Sequence, residues 1–363
     1  MKVGIVGLPN VGKSTIFNAL TSSDIPASNY PFCTIDPNIG VVSVPDKRLK
    51  IINKYIETNS IINTLIEFVD IAGLVKGASS GEGLGNQFLS QIRNVDAIVH
   101  VVRGFENSEI THVEGSIDPI RDIGIIETEL ILRDIETVNN RIKKVTKLAK
   151  SNDKEAKLEL RLLEKVFNDL NDGKWIYNID FEEEEESIVK TWFLLTHKPL
   201  IYLCNVDEND LDNNNSQYIK VKKYAESNNS ICIKLSGSIE MQISKMDSDA
   251  EKTEFLSLYD LEEPGLNILI LSAYKVLSLI TFFTAGPEEI RAWTIHKNTY
   301  APQAAGVIHT DFERGFIKAE IYHINDLVQH ETESILKENG KIRQEGKKYL
   351  MHDGDIVLFK FNV

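Results

Sequence analysis

The sequence predicts an α/β protein: a doubly wound parallel sheet, interrupted by an antiparallel helical hairpin and followed by a smaller β-rich C-terminal module. Three observations carry that prediction. A β-rich run from Val3 to Val6 passes through the loop "GLPNVGKS" into the helical stretch "TIFNAL", which is the strand, loop and helix order of a phosphate-wrapping βα unit. Further apolar runs of strand length recur at "TLIEFVD", "DAIVHVV", "PLIYLCN" and Ile231 to Leu235, short and near-continuous as buried parallel strands are. Between "DAIVHVV" and "PLIYLCN", apolar residues step by four and three at Ile131, Ile135, Val138, Ile142, Val145 and Ala149. They do so again at Ala156, Leu160, Leu163, Phe167 and Leu170 after "SND", so two helices each bury one stripe.

Composition limits the function classes. The chain has 363 residues, of which 42% are apolar, enough for a sizeable core and two or three domains. A formal net charge of -14 argues against unselective adhesion to nucleic acid or membrane, although a local basic face can still dock on RNA. Cys33, Cys204 and Cys232 lie far apart without a C-x-x-C pair, so neither a zinc site nor a disulfide framework is expected, and a reducing cytoplasm fits. The opening "MKVGIVGLPNVGKST" has no signal-like apolar run, and no stretch of about 18 apolar residues follows. No membrane partner is expected.

The first loop fits G-x-x-x-x-G-K-[ST] from Gly7 to Ser14. Its glycines let the backbone of Asn10, Val11, Gly12 and Thr15 wrap phosphate oxygens, Lys13 brings a point charge to the β/γ-phosphates, and Ser14 offers a hydroxyl to Mg²⁺. Lys13 is thereby the charge-stabilising catalytic candidate. The strand "TLIEFVD" ends at Asp70, opening a D-x-x-G site with Gly73, where an Asp holds the magnesium shell and the loop answers to the γ-phosphate. Between the two, "NYPFCTIDPN" places Thr34 as a further metal candidate, with a plain polar loop residue as the alternative. The glycines at 73, 77, 81, 83 and 85 make the following run a switch-type segment rather than a dinucleotide fingerprint. Leu74 stands where some P-loop enzymes carry a water-orienting glutamine. Turnover is therefore expected to be slow and assisted by a partner, by a monovalent cation such as potassium near Asn10, or by His112 in "EITHVEG". An ordinary exposed loop histidine is the competing reading of His112.

The base end is "LCNVDEND". Guanine readers of this class use N-K-x-D, whose carboxylate accepts from guanine's two N–H groups while the lysine stem covers the ring. Here Asn205 is followed by Val206, Asp207 and Glu208. The lysine is missing and the acceptor is one methylene too long, so ATP becomes admissible beside GTP, because rejection of adenine relies on an unpaired buried group. Asp207 slipping by one position to restore guanine reading stays open. Ser236 and Gly237, after the next strand, are candidates for backbone contacts to the base.

Taken together, "GLPNVGKST", "YPFCTIDPN", "VDIAGLVKGASSGEGLGN" and "NVDE" resemble the YchF/Obg-like ATPase family, an Obg-related branch of the translation-factor P-loop class. The likeness extends to "GPEEIRAWTIHKNTYAPQAAGVIHTDFERGFIKAEI" and "DGDIVLFKFNV", which resemble that family's TGS domain, a β-grasp module. The resemblance implies a G-type nucleotide domain that accepts ATP and an association with the ribosome, its large subunit or the 70S particle. Expected boundaries are 1–126 and 197–277 for the nucleotide domain, 127–196 for the hairpin and 278–363 for the TGS domain. Arg141, Lys143, Lys144, Lys147, Lys150, Lys154 and Lys157 concentrate positive charge near the hairpin tip. A solvated coiled-coil face or an RNA-docking face accounts for it equally, and the TGS domain is a second candidate RNA contact. The reading is of a cytoplasmic, Mg-dependent ATPase whose nucleotide-driven loops control partner binding. A guanine-specific regulatory GTPase, or a nucleotide-gated ribosome or RNA scaffold with incidental turnover, are the alternatives.

Overall fold

The computed structural model describes residues 1–22, 38–71, 84–107, 110–150, 153–211 and 214–362, with 84–88 described by their backbone alone. In chain order the strands are β1 (Lys2–Val6), β2 (Ile39–Ser43), the two-residue β3 (Ile61–Ile62), β4 (Leu65–Asp70), β5 (Ala97–Arg103), β6 (Leu200–Asn205) and β7 (Ile231–Leu235). They continue with β8 (Leu279–Ala285), β9 (Ile290–His296), β10 (Phe316–His323), β11 (Arg343–Glu345) and β12 (Asp355–Phe361). Among the described residues they form two six-stranded sheets, ordered β2-β4-β1-β5-β6-β7 and β11-β10-β12-β8-β9-β3.

In the first sheet β4, β1, β5, β6 and β7 run parallel. Every residue of β5 and of β6 is buried, which is why their sequences are mostly apolar, with His100, Arg103 and Asn205 as the buried polar exceptions: both faces are covered. The chain leaves β1 towards β4 on one side and comes back to β5 on the other, so the strand order reverses at β1, the place where open α/β sheets bind ligands at their carboxyl ends.

The helical insertion is longer than its periodicity alone marks. Its first helix runs from Pro119 to Ala149, opened by Asp118 accepting from the Arg121 N–H. The return helix, Lys154–Asn171, is capped by Asp153. The predicted stripe residues share one buried cluster, and Val189, Trp192 and Leu194 join it. Those three come with a third helix, Glu183–Lys190, made from the polyacidic run and closed by a Glu182/Glu185 capping box. Four glutamates in its first turn suit the positive end of the helix dipole.

Contacts divide the chain into two compact units, Met1–Val42 with Glu67–Leu269, and Ser43–Ile66 with Ile270–Val363. The helical insertion lies within the first. Residues 43–66, expected within the nucleotide domain, thus pack with the C-terminal part. The physical reason is non-local: β3 pairs with β9, Ile61 opposite Ile290. Helix Lys47–Tyr55 also buries Leu49 and Ile52 in a cluster with Phe283, Ile290, Leu327 and Ile356. The second sheet is the β-grasp expected, with Phe282 and Phe283 on opposite faces feeding two clusters.

Candidate functional site

The carboxyl ends of the first sheet are level with one another. Ile5 lies opposite Asp70, Arg103 opposite Asn205 and Asn205 opposite Leu235, so the loops that follow converge. They enclose a cavity of about 710 Å³ lined by Asn10, Gly12, Lys13, Ser14 and Thr15 on one side and by Asn205, Val206, Asp207, Ser236, Gly237 and Ser238 on another. The structure thus brings the two ends of the motif reading, some 190 residues apart in sequence, to one hollow.

The loop after β1 is built from backbone that few residues tolerate. Asn10 has φ of 64° and Gly12 φ of 90°, the left-handed region. At Gly7 a side chain would lie 2.8 Å from the Val101 carbonyl. Gly12 then opens helix Lys13–Thr21 without a side-chain cap, and the first N–H groups of a helix have no partner of their own. Ile16, Phe17, Ala19 and Leu20 bury the helix's inner face and hold that end in place.

Asn205 is the staple between the two sides. It is 5% exposed, its Nδ2 donates to the Val11 carbonyl at 2.9 Å, and its Oδ1 accepts from the Gly237 N–H at 2.9 Å. Its hydrogen bonds therefore go to the two loops and fix their spacing. Lys13 Nζ forms an ion pair with Asp70 Oδ1.

At the base end the acidic residues part company. Glu208 does not line the cavity; its Oε2 accepts from the Ser238 hydroxyl at 3.3 Å. Asp207 does line it, but caps a short 3₁₀ turn, its Oδ1 accepting from the Asn209 N–H at 3.1 Å and from Asn209 Nδ2 at 2.9 Å. Val206 is 2% exposed and forms an apolar wall.

His112 is neither exposed nor in the cavity wall. It is 8% exposed, its Nδ1 accepts from the Glu114 N–H at 3.1 Å, and its Nε2 lies 2.8 Å from Asp122 Oδ2. With Nδ1 accepting, Nε2 carries the proton donated to Asp122. Thr34, Gly73 and Leu74 lie outside the described residues.

Sequence reasoning missed the third wall, which consists of Phe105, Asn107 and Ile110. The available signal was topological: this segment follows β5, the strand beside β1, at the same carboxyl edge.

The oxygen donors of Ser14 and Asp70 suit a hard divalent cation. Among the described residues no group of three His, Cys, Asp or Glu could hold a metal. No helix among the described residues is long and apolar enough to cross a membrane.

Comparison with known proteins gives two family models. Residues 2–157 match one described as a 50S ribosome-binding GTPase, and residues 279–362 match the C-terminal model of YchF GTPases, described as a protein of unknown function. The chain is 50% identical over 363 residues to the ribosome-binding ATPase YchF of Pasteurella multocida, covering 100% of this chain and 99% of that one. It is 48% identical over 365 residues to the protein of the same name from Bacillus subtilis, each fully covered. Obg-like ATPase 1 of Oryza sativa is 46% identical over 100% of this chain and 92% of its own length. The solved structure of the Schizosaccharomyces pombe YchF GTPase superposes with a TM-score of 0.90 at 42% identity, covering 99% of this chain and 97% of that one.

Proposed function

This chain belongs to the YchF family, and on that premise we propose that it is a ribosome-associated ATPase whose cavity binds Mg-ATP. The relatives' names divide between ATPase and GTPase, and the observation that carries the reading for ATP is the placement of the acidic side chains. A guanine reader needs a free carboxylate on the base's N–H edge. Here Glu208 is turned to Ser238 and Asp207 is folded onto its own turn by Asn209. The missing lysine is replaced by buried Val206, which covers either purine. GTP is tolerated rather than selected. A second reading rests on one fact: Asp207 lines the cavity, and release of its carboxylate from Asn209 restores guanine recognition.

In this proposal Asn10 to Thr15 wrap the phosphates, and Lys13 exchanges Asp70 for the β/γ oxygens. Ser14, Asp70 and Thr34 would hold Mg²⁺, which offsets charge on the phosphates during transfer. Asn205 keeps Val11 and Gly237 at the spacing the nucleotide requires, and Ser236 and Gly237 face the base. Leu74 supplies no water-orienting group, so turnover is slow, and a potassium ion beside Asn10 is the proposed accelerator. His112 would serve in turnover only after leaving Asp122. The domain assignment proposed is a nucleotide domain, a helical arm and a TGS module, acting on the large subunit or the 70S particle in the cytoplasm. RNA contacts are proposed through the arm and the TGS module.

The test is equilibrium binding of non-hydrolysable ATP and GTP analogues, with magnesium, to the wild type and to Val206→Lys. Tighter ATP binding that shifts towards GTP in the variant supports the reading. A wild-type preference for GTP of tenfold or more, about 1.4 kcal/mol, overturns it in favour of guanine reading by Asp207.

A further inference from the structure

We infer that Arg103 is a positioning residue that builds the third wall of the nucleotide cavity and thereby sets nucleotide affinity. The inference rests on the reading of the cavity as a nucleotide site. Arg103 ends β5 and is 2% exposed. Burying a guanidinium is costly unless its N–H groups are satisfied. Among the described residues no carboxylate lies within ion-pair distance of it; Asp122 acts on it only through the field, while burial lowers its pKa. Its donors go instead to main-chain carbonyls: Nε to Phe105 at 3.2 Å, Nη2 to Asn107 at 3.2 Å and Nη1 to Ile110 at 3.0 Å. The guanidinium carbon also sits 4.4 Å from the Phe105 ring centre, a favourable cation–π distance.

All three acceptors belong to residues that line the cavity. One planar fork therefore holds Phe105, Asn107 and Ile110 together, a geometry a lysine ammonium cannot copy. The wall is tied to both ends of the site. At the base end the Gly104 N–H donates to the Asn205 carbonyl at 2.8 Å. A side chain at Gly104 would meet Val206 at 3.2 Å. At the phosphate end Asn10 Nδ2 donates to the Thr111 carbonyl at 3.1 Å. Arg103 does not itself line the cavity and acts through the wall it holds, so its effect should fall on binding and not on the chemical step.

The experiment compares wild type with Arg103→Lys and Arg103→Met. Affinity for a non-hydrolysable ATP analogue, kcat at saturating ATP, and hydrogen exchange of Phe105–Asn107 and Ile110–His112 without nucleotide are measured. The expected result for Arg103→Lys is affinity weaker by tenfold or more, kcat within threefold, and faster exchange confined to those residues, with cooperative melting retained. Arg103→Met, which removes the donor of all three carbonyls, loses more. Affinity within twofold of wild type, or unchanged exchange, overturns the inference. Exchange measured without nucleotide tests the clamp even if the cavity binds something else, whereas a wild type that binds no nucleotide removes the reading beneath it. If neither variant folds, the wild type decides: the ATP analogue must slow exchange across this wall, and unaltered exchange overturns the proposal.

Discussion

Gly12 and Asn205 sit so close that a Cβ on Gly12 would lie 2.1 Å from Asn205 Nδ2. Asn205 cannot withdraw, because its amide is held by Val11 on one side and Gly237 on the other. Gly12→Ala therefore meets two obstacles, the collision and a φ of 90°. Strain of this kind costs on the order of 1–3 kcal/mol. The expected outcome is a urea midpoint lowered accordingly and ATP-analogue affinity reduced at least tenfold. Wild-type affinity in a folded variant would show that the loop does not hold phosphate in this conformation.

Much of this site was legible because its determinants are local. The strand, loop and helix order around Lys13, the strand ending at Asp70 and the strand ending at Asn205 each follow from a short pattern. The order of strands in the sheet then brings them together. The wall at Phe105, Asn107 and Ile110 was not legible, since its path is set by one buried side chain reading three carbonyls, which no spacing encodes. Glu208 lies off the cavity wall for a reason of turn chemistry: Asp207 caps the turn and stays at the cavity, the position the open alternative gave it, carrying Glu208 past it. The polyacidic run carries no apolar periodicity of its own. Only the capping box and the apolar residues behind it, Val189 and Trp192, make it a packed helix. Residues 43–66 joined the C-terminal unit through a strand of two residues, too short to give a periodic signal.

Glu240 predicts a pH dependence of stability. It is 2% exposed and accepts from the Gly265 N–H at 2.7 Å and the Leu266 N–H at 3.3 Å, fastening the helix after Ser236 to the start of the helix at Gly265. Burial pushes its carboxyl up to about 7 against the opposing pull of those two bonds. The folded pKa lies above the unfolded one, so the folded state keeps a proton that the unfolded state has released. Stability contributed by this group is complete below about pH 4.5 and is lost as pH rises towards 7, with a slope of about 1.4 kcal/mol per pH unit between them. Asp134, raised to about 6 by burial, acts with the same sign, so the diagnostic is the difference between wild type and Glu240→Gln. Denaturant unfolding from pH 4.5 to 8 should show a shallower slope in the variant. Parallel curves would mean that Glu240 titrates as an ordinary carboxylate.

The arm predicts where the ribosome is held. Lys143, Lys144 and Lys147 are exposed on the last turns of helix Pro119–Ala149. Positive charge there is favourable to the helix dipole, so reversal to glutamate should cost the fold less than about 1 kcal/mol per site. The same reversal acts differently on a polyanion. Each phosphate contact releases counterions, so losing contacts lowers both the affinity and its dependence on salt, by roughly 0.7–0.9 in log–log slope per contact. A triple variant with a near-wild-type melting curve should co-sediment poorly with ribosomes at physiological salt and show a flatter salt titration. It should retain ATP-analogue affinity, because none of the three lines the cavity. Unchanged co-sedimentation with an unchanged slope would make this face a solvated helix surface and leave ribosome attachment to the C-terminal module.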